Sequence, residues 1–197
     1  YYNEYVYCTV CTAELSMEED IEIPKLEKTS LAKATVSGIK DKTYTGKGTT
    51  QNITVKLNGK TLKKGTDYKV SIKNWTDVGT ATLTVTGINA YSGSIKKTYK
   101  INPKGTSLSK VTAGKKAFTA TWKKQTTKTT GYQIQYSTSS KFKNAKTVTV
   151  KKNKTTKTTV KKLKAKKKYY VRIRTYKTVG KKKYYSSWSK AKAVKTK

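Results

Sequence analysis

Histidine is absent from this chain of 197 residues, and acidic side chains are scarce over most of its length. After residue 27 the only carboxylates are Asp41, Asp67 and Asp77. Acid–base and nucleophilic catalysis need titratable groups that meet in a pocket, and glycoside hydrolysis needs a pair of carboxylates. Nucleotide-binding glycine motifs placed before a helix are missing as well. We therefore predict that the chain is not an enzyme and binds no cofactor.

The chain has only two cysteines, Cys8 and Cys11, in a Cys-x-x-Cys spacing. A structural zinc site needs four ligands, and no histidine is present to complete one. A thioredoxin-type motif needs a helix N-terminus in a βαβ unit, which the surrounding sequence does not indicate. We predict a small knuckle without a metal, and two readings stay open: a disulfide between the two cysteines, or thiols whose partners lie before Tyr1.

Long apolar runs are also missing, since none approaches the roughly 18 residues that a membrane-spanning helix needs. We therefore predict no membrane span. The chain does not begin with methionine and shows no signal peptide at its start. We expect Tyr1 to be an internal position of a longer protein.

Charge is abundant but has one sign over most of the chain. Residues 1–27 carry seven acidic side chains and one lysine, a net charge of −6, whereas residues 28–197 carry a net charge of +41. Lysine supplies 43 of the 45 basic side chains, and Arg172 and Arg174 are the only arginines. Such a surface attracts polyanions over long range, and it also keeps a secreted module soluble. Composition alone does not choose between these roles.

Residues that favour strands dominate the apolar part of the sequence, which includes 15 tyrosines. Apolar and polar residues alternate in many short segments, as in strands with one buried face. Turn signals such as Asn58-Gly59 separate these segments at the spacing of small antiparallel sandwiches. We therefore predict an all-β fold with two tandem β-sandwich domains, at residues 28–102 and 103–197, after a short β segment at residues 1–27.

The first predicted sandwich carries a string of turn glycines and core aromatics: Tyr44-Thr-Gly46, Leu62-x-x-Gly65-Thr-Asp67-Tyr68, Val78-Gly79-Thr-Ala-Thr82 and Tyr91-x-Gly93. This string resembles the bacterial Ig-like repeats of large adhesins and surface proteins. The resemblance implies that these residues, including Tyr68 and Gly79, serve the scaffold. The stretch around Cys8 and Cys11 resembles short linker units between modules of bacterial surface proteins.

The second predicted sandwich contains an ordered set of aromatic and aliphatic positions: Trp122, Gly131-Tyr132-x-Ile134-x-Tyr136, Leu163-x5-Tyr169-x-Val171-x-Ile173 and Ser186-Ser187-Trp188-Ser189. This order resembles a fibronectin type III domain. The resemblance implies that Trp122 is a buried tryptophan of strand B and Tyr132 the tyrosine of strand C. It also implies that Tyr169 is a corner tyrosine whose hydroxyl bonds to the backbone. The remaining positions, Tyr136, Leu163, Val171 and Ile173, are expected to serve the scaffold.

Arg172 and Arg174 alternate with apolar residues, so they point from one face of their predicted strand, and Trp188 is expected to begin the next strand beside them. An arginine stacked on an exposed indole is worth about 0.5–1 kcal/mol. The Ser-Ser-Trp-Ser run resembles part of the tryptophan–arginine ladder of cytokine-receptor type III domains, with Tyr185 or Ser186 in place of the first tryptophan. We predict a shortened structural ladder.

Two functions remain. The first is a spacer, stalk or anchoring segment of a larger secreted protein, on the surface or cell wall of a Gram-positive-type bacterium, with other domains of the same parent protein as partners. The second is an accessory module that binds polyanions or glycans, namely anionic cell-wall polymers such as teichoic acid, host glycans or nucleic acid. A specific nucleic acid is not expected, because lysine makes charge-only contacts whereas bidentate phosphate recognition favours arginine. The candidate ligand contacts are Trp75, Tyr170, Tyr184 and Tyr185, which we expect to be exposed, together with Lys166 and Lys167.

Overall fold

The computed structural model describes residues 27–197, which form two successive β-sandwiches. The predicted Cys8–Cys11 knuckle lies outside the described residues. The all-β prediction is confirmed, because every regular element from residue 27 onward is a strand except one 3-10 turn. In this part of the chain no helix has the length and apolar character needed to cross a membrane.

The first sandwich packs a three-stranded sheet, in the order β2–β4–β5, against a four-stranded sheet, in the order β3–β9–β7–β6. A short parallel pair, β1–β8, lies beside them. The elements are β1 Thr29–Ser30, the 3-10 turn Leu31–Lys33, β2 Thr35–Ser37, β3 Lys42–Thr43, β4 Thr54–Leu57, β5 Lys60–Thr61, β6 Tyr68–Lys73, β7 Gly79–Gly87, β8 Tyr91–Ser92 and β9 Ser94–Asn102.

The predicted hairpin and the predicted alternation account for much of this first sandwich. Asn58 and Gly59 have φ values of 48° and 81°, as a type I′ turn requires, and they join β4 to β5. Along β7 every second residue is fully buried: Ala81, Leu83 and Val85. One face of the central strand therefore builds the core, and the other face meets solvent.

The second sandwich packs the sheet β10–β11–β14 against the sheet β13–β12–β15–β16. The long strand β15 pairs with β16 along one half and with β17 along the other. The strands are β10 Leu108–Gly114, β11 Ala117–Trp122, β12 Gly131–Ser137, β13 Lys146–Val150, β14 Lys157–Val160, β15 Lys168–Val179, β16 Lys182–Tyr185 and β17 Lys192–Lys195.

An aromatic cluster fills the core of the second sandwich. The rings of Trp122 and Tyr132 lie 5.2 Å apart, and Phe118 meets Tyr136 edge-on at 5.6 Å. The Tyr132 hydroxyl is hydrogen-bonded to backbone groups of neighbouring loops, whereas the Trp122 indole N–H has no hydrogen-bond partner within residues 27–197. Aromatic pairs of this kind add about 0.5–1.5 kcal/mol beyond the area that they bury.

Candidate functional site

Five side chains stack in alternation on the outer face of the sheet that contains β15. In order along the stack they are Tyr185, Arg174, Trp188, Arg172 and Phe142, and we call them the ladder. The guanidinium carbon of Arg174 is 3.9 Å from the ring centroid of Tyr185 and 4.3 Å from that of Trp188. The guanidinium carbon of Arg172 is 4.9 Å from Trp188 and 3.9 Å from Phe142. Each arginine is thus enclosed between two aromatic rings.

Two glutamines on β12 fix the orientation of the arginines. Gln133 lies across from Arg174, and Gln135 lies across from Arg172. Arg174 donates from Nε and Nη2 to Gln133 Oε1 at 2.9 and 2.7 Å, and Arg172 donates from Nε to Gln135 Oε1 at 2.8 Å. Directly opposed residues of an antiparallel pair have Cβ atoms about 5 Å apart, so the amides reach the guanidinium groups easily.

Trp188 enters the ladder from an irregular segment, not from a strand as the sequence predicted. Strand β16 ends before it and β17 begins after it, and two serine hydroxyls replace part of the missing backbone ladder. Ser186 Oγ accepts the N–H of Thr175 at 3.0 Å, and Ser189 Oγ accepts the N–H of Ile173 at 3.1 Å. Because these hydroxyls satisfy the donors of β15, the segment stays attached to the sheet while departing from strand geometry.

The ladder carries two positive charges and no acid. The only ion pair among the described residues joins Asp77 of the first sandwich to Lys128 of the second, and neither residue belongs to the ladder. Burial lowers the pKa of Arg172, and burial is also the main cause that lowers the pKa of Arg174. Arginine nevertheless stays charged near neutral pH. The ladder can therefore stabilise the sheet by stacking, but it cannot transfer protons as an acid or base.

The second group of polar contacts lies where the two sandwiches meet. Lys128 Nζ donates to Asp77 Oδ2 at 2.6 Å, and the hydroxyls of Thr80 and Tyr184 share a hydrogen bond of 2.7 Å. The bond from Lys128 is the main cause that lowers the pKa of Asp77, and the same bond raises the pKa of Lys128. Pro103 is fully buried in the connection. The Thr80–Tyr184 bond joins β7 of one sandwich to β16 of the other, and the Asp77–Lys128 pair joins the β6–β7 loop to the β11–β12 loop.

A cleft of about 530 Å³ opens at this junction. Its lining includes Asp77, Lys128 and Lys177, and Asp77 is its only carboxylate. Because Asp77 is already paired with Lys128, the cleft does not offer a free acid to a substrate. Within residues 27–197 no three His, Cys, Asp or Glu side chains come together in a way that could hold a metal ion.

The structure places the six candidate ligand contacts in different parts of the molecule, and it shows that one of them is buried. Tyr184 was predicted to be exposed but is buried, because its ring lies in the junction between the sandwiches. Tyr185 is half-buried within the ladder, and Tyr170 is half-buried with Lys168 Nζ 5.4 Å from its ring centroid. Trp75 is 39% exposed.

Trp75, Lys166 and Lys167 belong to local packing and turns. The ring of Trp75 covers Gly48, where an added Cβ would come within 2.2 Å of the ring. Lys166 lies in a turn with φ of 51°, and the backbone N–H of Lys167 donates to Thr196 Oγ1 at 3.1 Å. The lysine side chains are exposed, but they do not meet Trp75 or the ladder in a common site.

The scaffold residues expected from the sequence lie in or beside the two cores. Tyr169 is buried, and its hydroxyl accepts the backbone N–H of Lys164 at 3.2 Å, which gives the corner contact that the resemblance implied. Gly79 begins β7. The buried positions among those expected are Trp122, Tyr132, Leu163, Val171, Ile173 and Tyr68, and Tyr136 packs against this core.

Sequence reasoning missed three members of the ladder assembly. Phe142 comes from a turn with φ of 55° between β12 and β13, and nothing in its local pattern indicates a stacking partner. Gln133 and Gln135 alternate with buried residues on β12, which predicts only that they face outward. Cross-strand register decides that they meet the arginines. The pairing of β16 with β15 places Tyr185, not Ser186, as the outer aromatic member of the ladder.

The fibronectin type III domain model matches residues 102–192. The chain contains a fibronectin type III domain. In the usual lettering of this fold the ladder arginines lie on strand F, which is β15, and Trp122 lies on strand B, which is β11. No curated protein matches the chain.

Two solved structures are similar to the chain at low identity. One is a β-1,2-glucanase from Parabacteroides distasonis, with 16% identity and a TM-score of 0.39, over 59% of this chain and 17% of that chain. The other comprises the FN1–FN3 domains of chicken CNTN1, with 15% identity and a TM-score of 0.43, over 86% of this chain and 68% of that chain. The chain thus spans only a small part of the glucanase.

Proposed function

We propose that the chain is a non-catalytic spacer or stalk within a larger protein, in which the two sandwiches act as one stiff arm. The junction carries this proposal. Two polar contacts, Asp77–Lys128 and Thr80–Tyr184, and the buried Pro103 in the connection restrain the two sandwiches relative to each other. Polar interfaces inside a chain usually permit domain motion, so several restraints are needed to hold an orientation.

Among residues 27–197 the polar groups do not converge on one open site, and this arrangement supports a non-catalytic function. Type III domains are generally not catalytic, and the junction cleft presents one carboxylate that is already paired. The ladder arginines are enclosed by aromatic rings and glutamines, so they suit a structural contact better than a substrate-binding site. The domain would thus hold or separate other parts of its parent protein.

We further propose that the first sandwich is a bacterial Ig-like repeat and that the parent protein is secreted to the surface or cell wall of a Gram-positive-type bacterium. The support is the string of residues that resembles those repeats, with Tyr68 buried and Asn58-Gly59 in a tight turn. A coat of lysines suits such a location, because like charges keep neighbouring arms soluble and apart.

The test is whether both sandwiches tumble together in solution. Backbone ¹⁵N relaxation of the full chain is expected to give one shared rotational diffusion tensor for amides of β7 and β15. The double variant Asp77→Asn and Thr80→Val removes both junction contacts, so the two sets of amides should then tumble differently. Lys124→Gln is the control, since it removes an exposed lysine of the second sandwich outside these contacts. Independent tumbling in the unaltered chain would refute the stiff arm.

A further inference from the structure

The outer face of the β6–β7–β9 sheet has an unusually uniform composition. Its central strand presents Thr80, Thr82, Thr84 and Thr86, which alternate with the buried residues of the core. We call this surface, with the flanking residues of β6 and β9, the Thr/Lys face. The outward residues on the two flanking strands are Lys69, Ser71, Lys73, Ser94, Lys96, Thr98 and Lys100.

Strand register places one lysine beside each threonine, on alternating sides. Lys69 on β6 lies opposite Thr86, and Lys73 lies opposite Thr82. Lys96 on β9 lies opposite Thr84, and Lys100 lies opposite Thr80. All four lysines are exposed. Each outward threonine of β7 therefore has one lysine beside it, and these lysines lie alternately on β9 and on β6.

The repeat distance of this pattern follows from strand geometry. Residues that share a face of a strand are two positions apart, which is about 6.8 Å. A polymer that carries one phosphate every six backbone bonds has the same repeat, because an extended peptide also covers about 7 Å in six bonds. A phosphodiester chain with three carbon atoms between its phosphates has six bonds per repeat. Its charges match the lysines one for one.

The hydroxyls of the central strand are free to bind oxyanions. Within the described residues Thr82, Thr84 and Thr86 form no side-chain hydrogen bond, whereas Thr80 is bonded to Tyr184 at the junction. The outward positions of β6, β7 and β9 carry no acidic and no aromatic side chain. At the β9 edge, Asp41 Oδ1 accepts the backbone N–H of Lys100 at 2.7 Å. A polyanion laid along β7 would thus meet hydroxyl donors beneath it and ammonium groups on both sides.

We propose that the Thr/Lys face binds a linear phosphodiester polymer with three carbon atoms between successive phosphates, laid along β7. The inference goes beyond the spacer function and does not depend on it. Single-stranded nucleic acid also has six backbone bonds per phosphate, but its binding surfaces use aromatic platforms for the bases, and this face has none. Lysine binds phosphate as a point charge, so this face would recognise the spacing of the charges and not a base sequence.

The experiment measures binding of the full chain to poly(1,3-glycerol phosphate) by isothermal titration calorimetry at two salt concentrations. The face variant changes Lys69, Lys73, Lys96 and Lys100 to Gln, and the matched control changes four exposed lysines of the opposite sheet and its turns, Lys33, Lys56, Lys60 and Lys64, to Gln. Both remove the same charge. We expect the face variant to weaken binding at least about tenfold and the control to weaken it no more than about threefold. Equal losses in both variants would overturn the proposal.

A second pair of variants tests the hydroxyls without altering charge. Thr82→Val with Thr84→Val keeps the β-branched shape and removes two donors, so binding should weaken by about fivefold. The control, Thr112→Val with Thr121→Val on the outer face of the second sandwich, should leave binding unchanged. If the hydroxyl variants bind as the unaltered chain does, charge alone holds the ligand, and the proposed contact of the polymer with the hydroxyls of β7 is overturned.

Competing ligands complete the test. Poly-glutamate and oligo(dT) with the same number of charges should bind more weakly than poly(1,3-glycerol phosphate), and high salt should weaken all three. Tighter binding of oligo(dT) that depends on the face lysines would overturn the proposed ligand class in favour of nucleic acid. A junction variant built outside the face, Asp77→Asn with Tyr184→Phe, removes the same two junction contacts. It should leave affinity within about twofold, so loss of the stiff arm and loss of the binding face are distinguishable.

Discussion

Removal of one arginine from the ladder is the sharpest test of how this sheet is stabilised. Arg174→Met keeps an unbranched side chain on the sheet but removes the guanidinium group. Two stacking contacts disappear, with Tyr185 at 3.9 Å and Trp188 at 4.3 Å, together with the two hydrogen bonds to Gln133. The same variant leaves the core face of β15 untouched, because Arg174 points away from it.

The magnitude follows from these contacts. Each stack is worth about 0.5–1 kcal/mol when it is exposed and about 2 kcal/mol when water is excluded. The hydrogen bonds to Gln133 add about 1 kcal/mol in a half-exposed position. We therefore expect Arg174→Met to lower the free energy of unfolding of the type III domain by about 2–3 kcal/mol. Arg174→Lys should lose most of the same stability, because an ammonium group cannot stack as a plane.

Urea titration of the full chain measures this loss, with the amide signals of Ile134 and Val171 reporting the type III domain separately from the first sandwich. Lys168→Met is the matched control on the same face of the same strand. Its ammonium group lies 5.4 Å from one ring and is exposed, so the change should stay within about 0.5 kcal/mol. A double-mutant cycle with Trp188→Leu should give a coupling energy of about 0.5–1 kcal/mol between Arg174 and Trp188. A coupling energy near zero would refute the ladder as a stabilising device.

Three further changes test the junction, the core and a close backbone approach. The pKa of Asp77 is depressed. The junction contact is therefore present above the ordinary aspartate pKa of about 3.9 and is lost as pH falls through the lower pKa of the folded state. The pKa of Lys128 is raised, so the contact is also lost at strongly alkaline pH. Shared tumbling of the sandwiches should therefore persist at neutral pH and weaken as pH falls below the ordinary aspartate pKa of about 3.9, and Asp77→Asn should abolish this dependence. Tyr132→Phe removes a buried hydroxyl that is bonded to two backbone carbonyls, so thermal unfolding should show a loss of about 1–3 kcal/mol, and an unchanged midpoint would contradict the assigned bonds. Gly131→Ala would place a Cβ 2.1 Å from the Val150 carbonyl oxygen, so amide exchange in the β12–β13 pair should accelerate, whereas an unchanged exchange rate would show that the pair shifts without cost.

The ladder shows how much of a site can be predicted from residue patterns. Alternation along β15 predicts that Arg172 and Arg174 share a face, and the Ser-Ser-Trp-Ser run indicates that Trp188 joins them. It does not predict Phe142, because that residue is supplied by a turn whose path depends on the packing of β13. The prediction that Tyr184 is exposed was wrong, because period-two alternation does not indicate that a second sandwich covers the end of a strand.

The amino-acid sequence by itself determined the two-sandwich architecture and the type I′ hairpin, because these depend on local backbone preferences and on which residues avoid water. The corner role of Tyr169 was implied by the resemblance to type III domains. Only the tertiary structure decided which outward residues become neighbours. The zigzag of Lys69, Lys96, Lys73 and Lys100 around the threonines of β7 exists only because three strands that are separate in the chain align in one register. Hydrophobic burial fixes which face of a strand points inward, whereas cross-strand hydrogen bonding fixes what stands beside each residue on the other face.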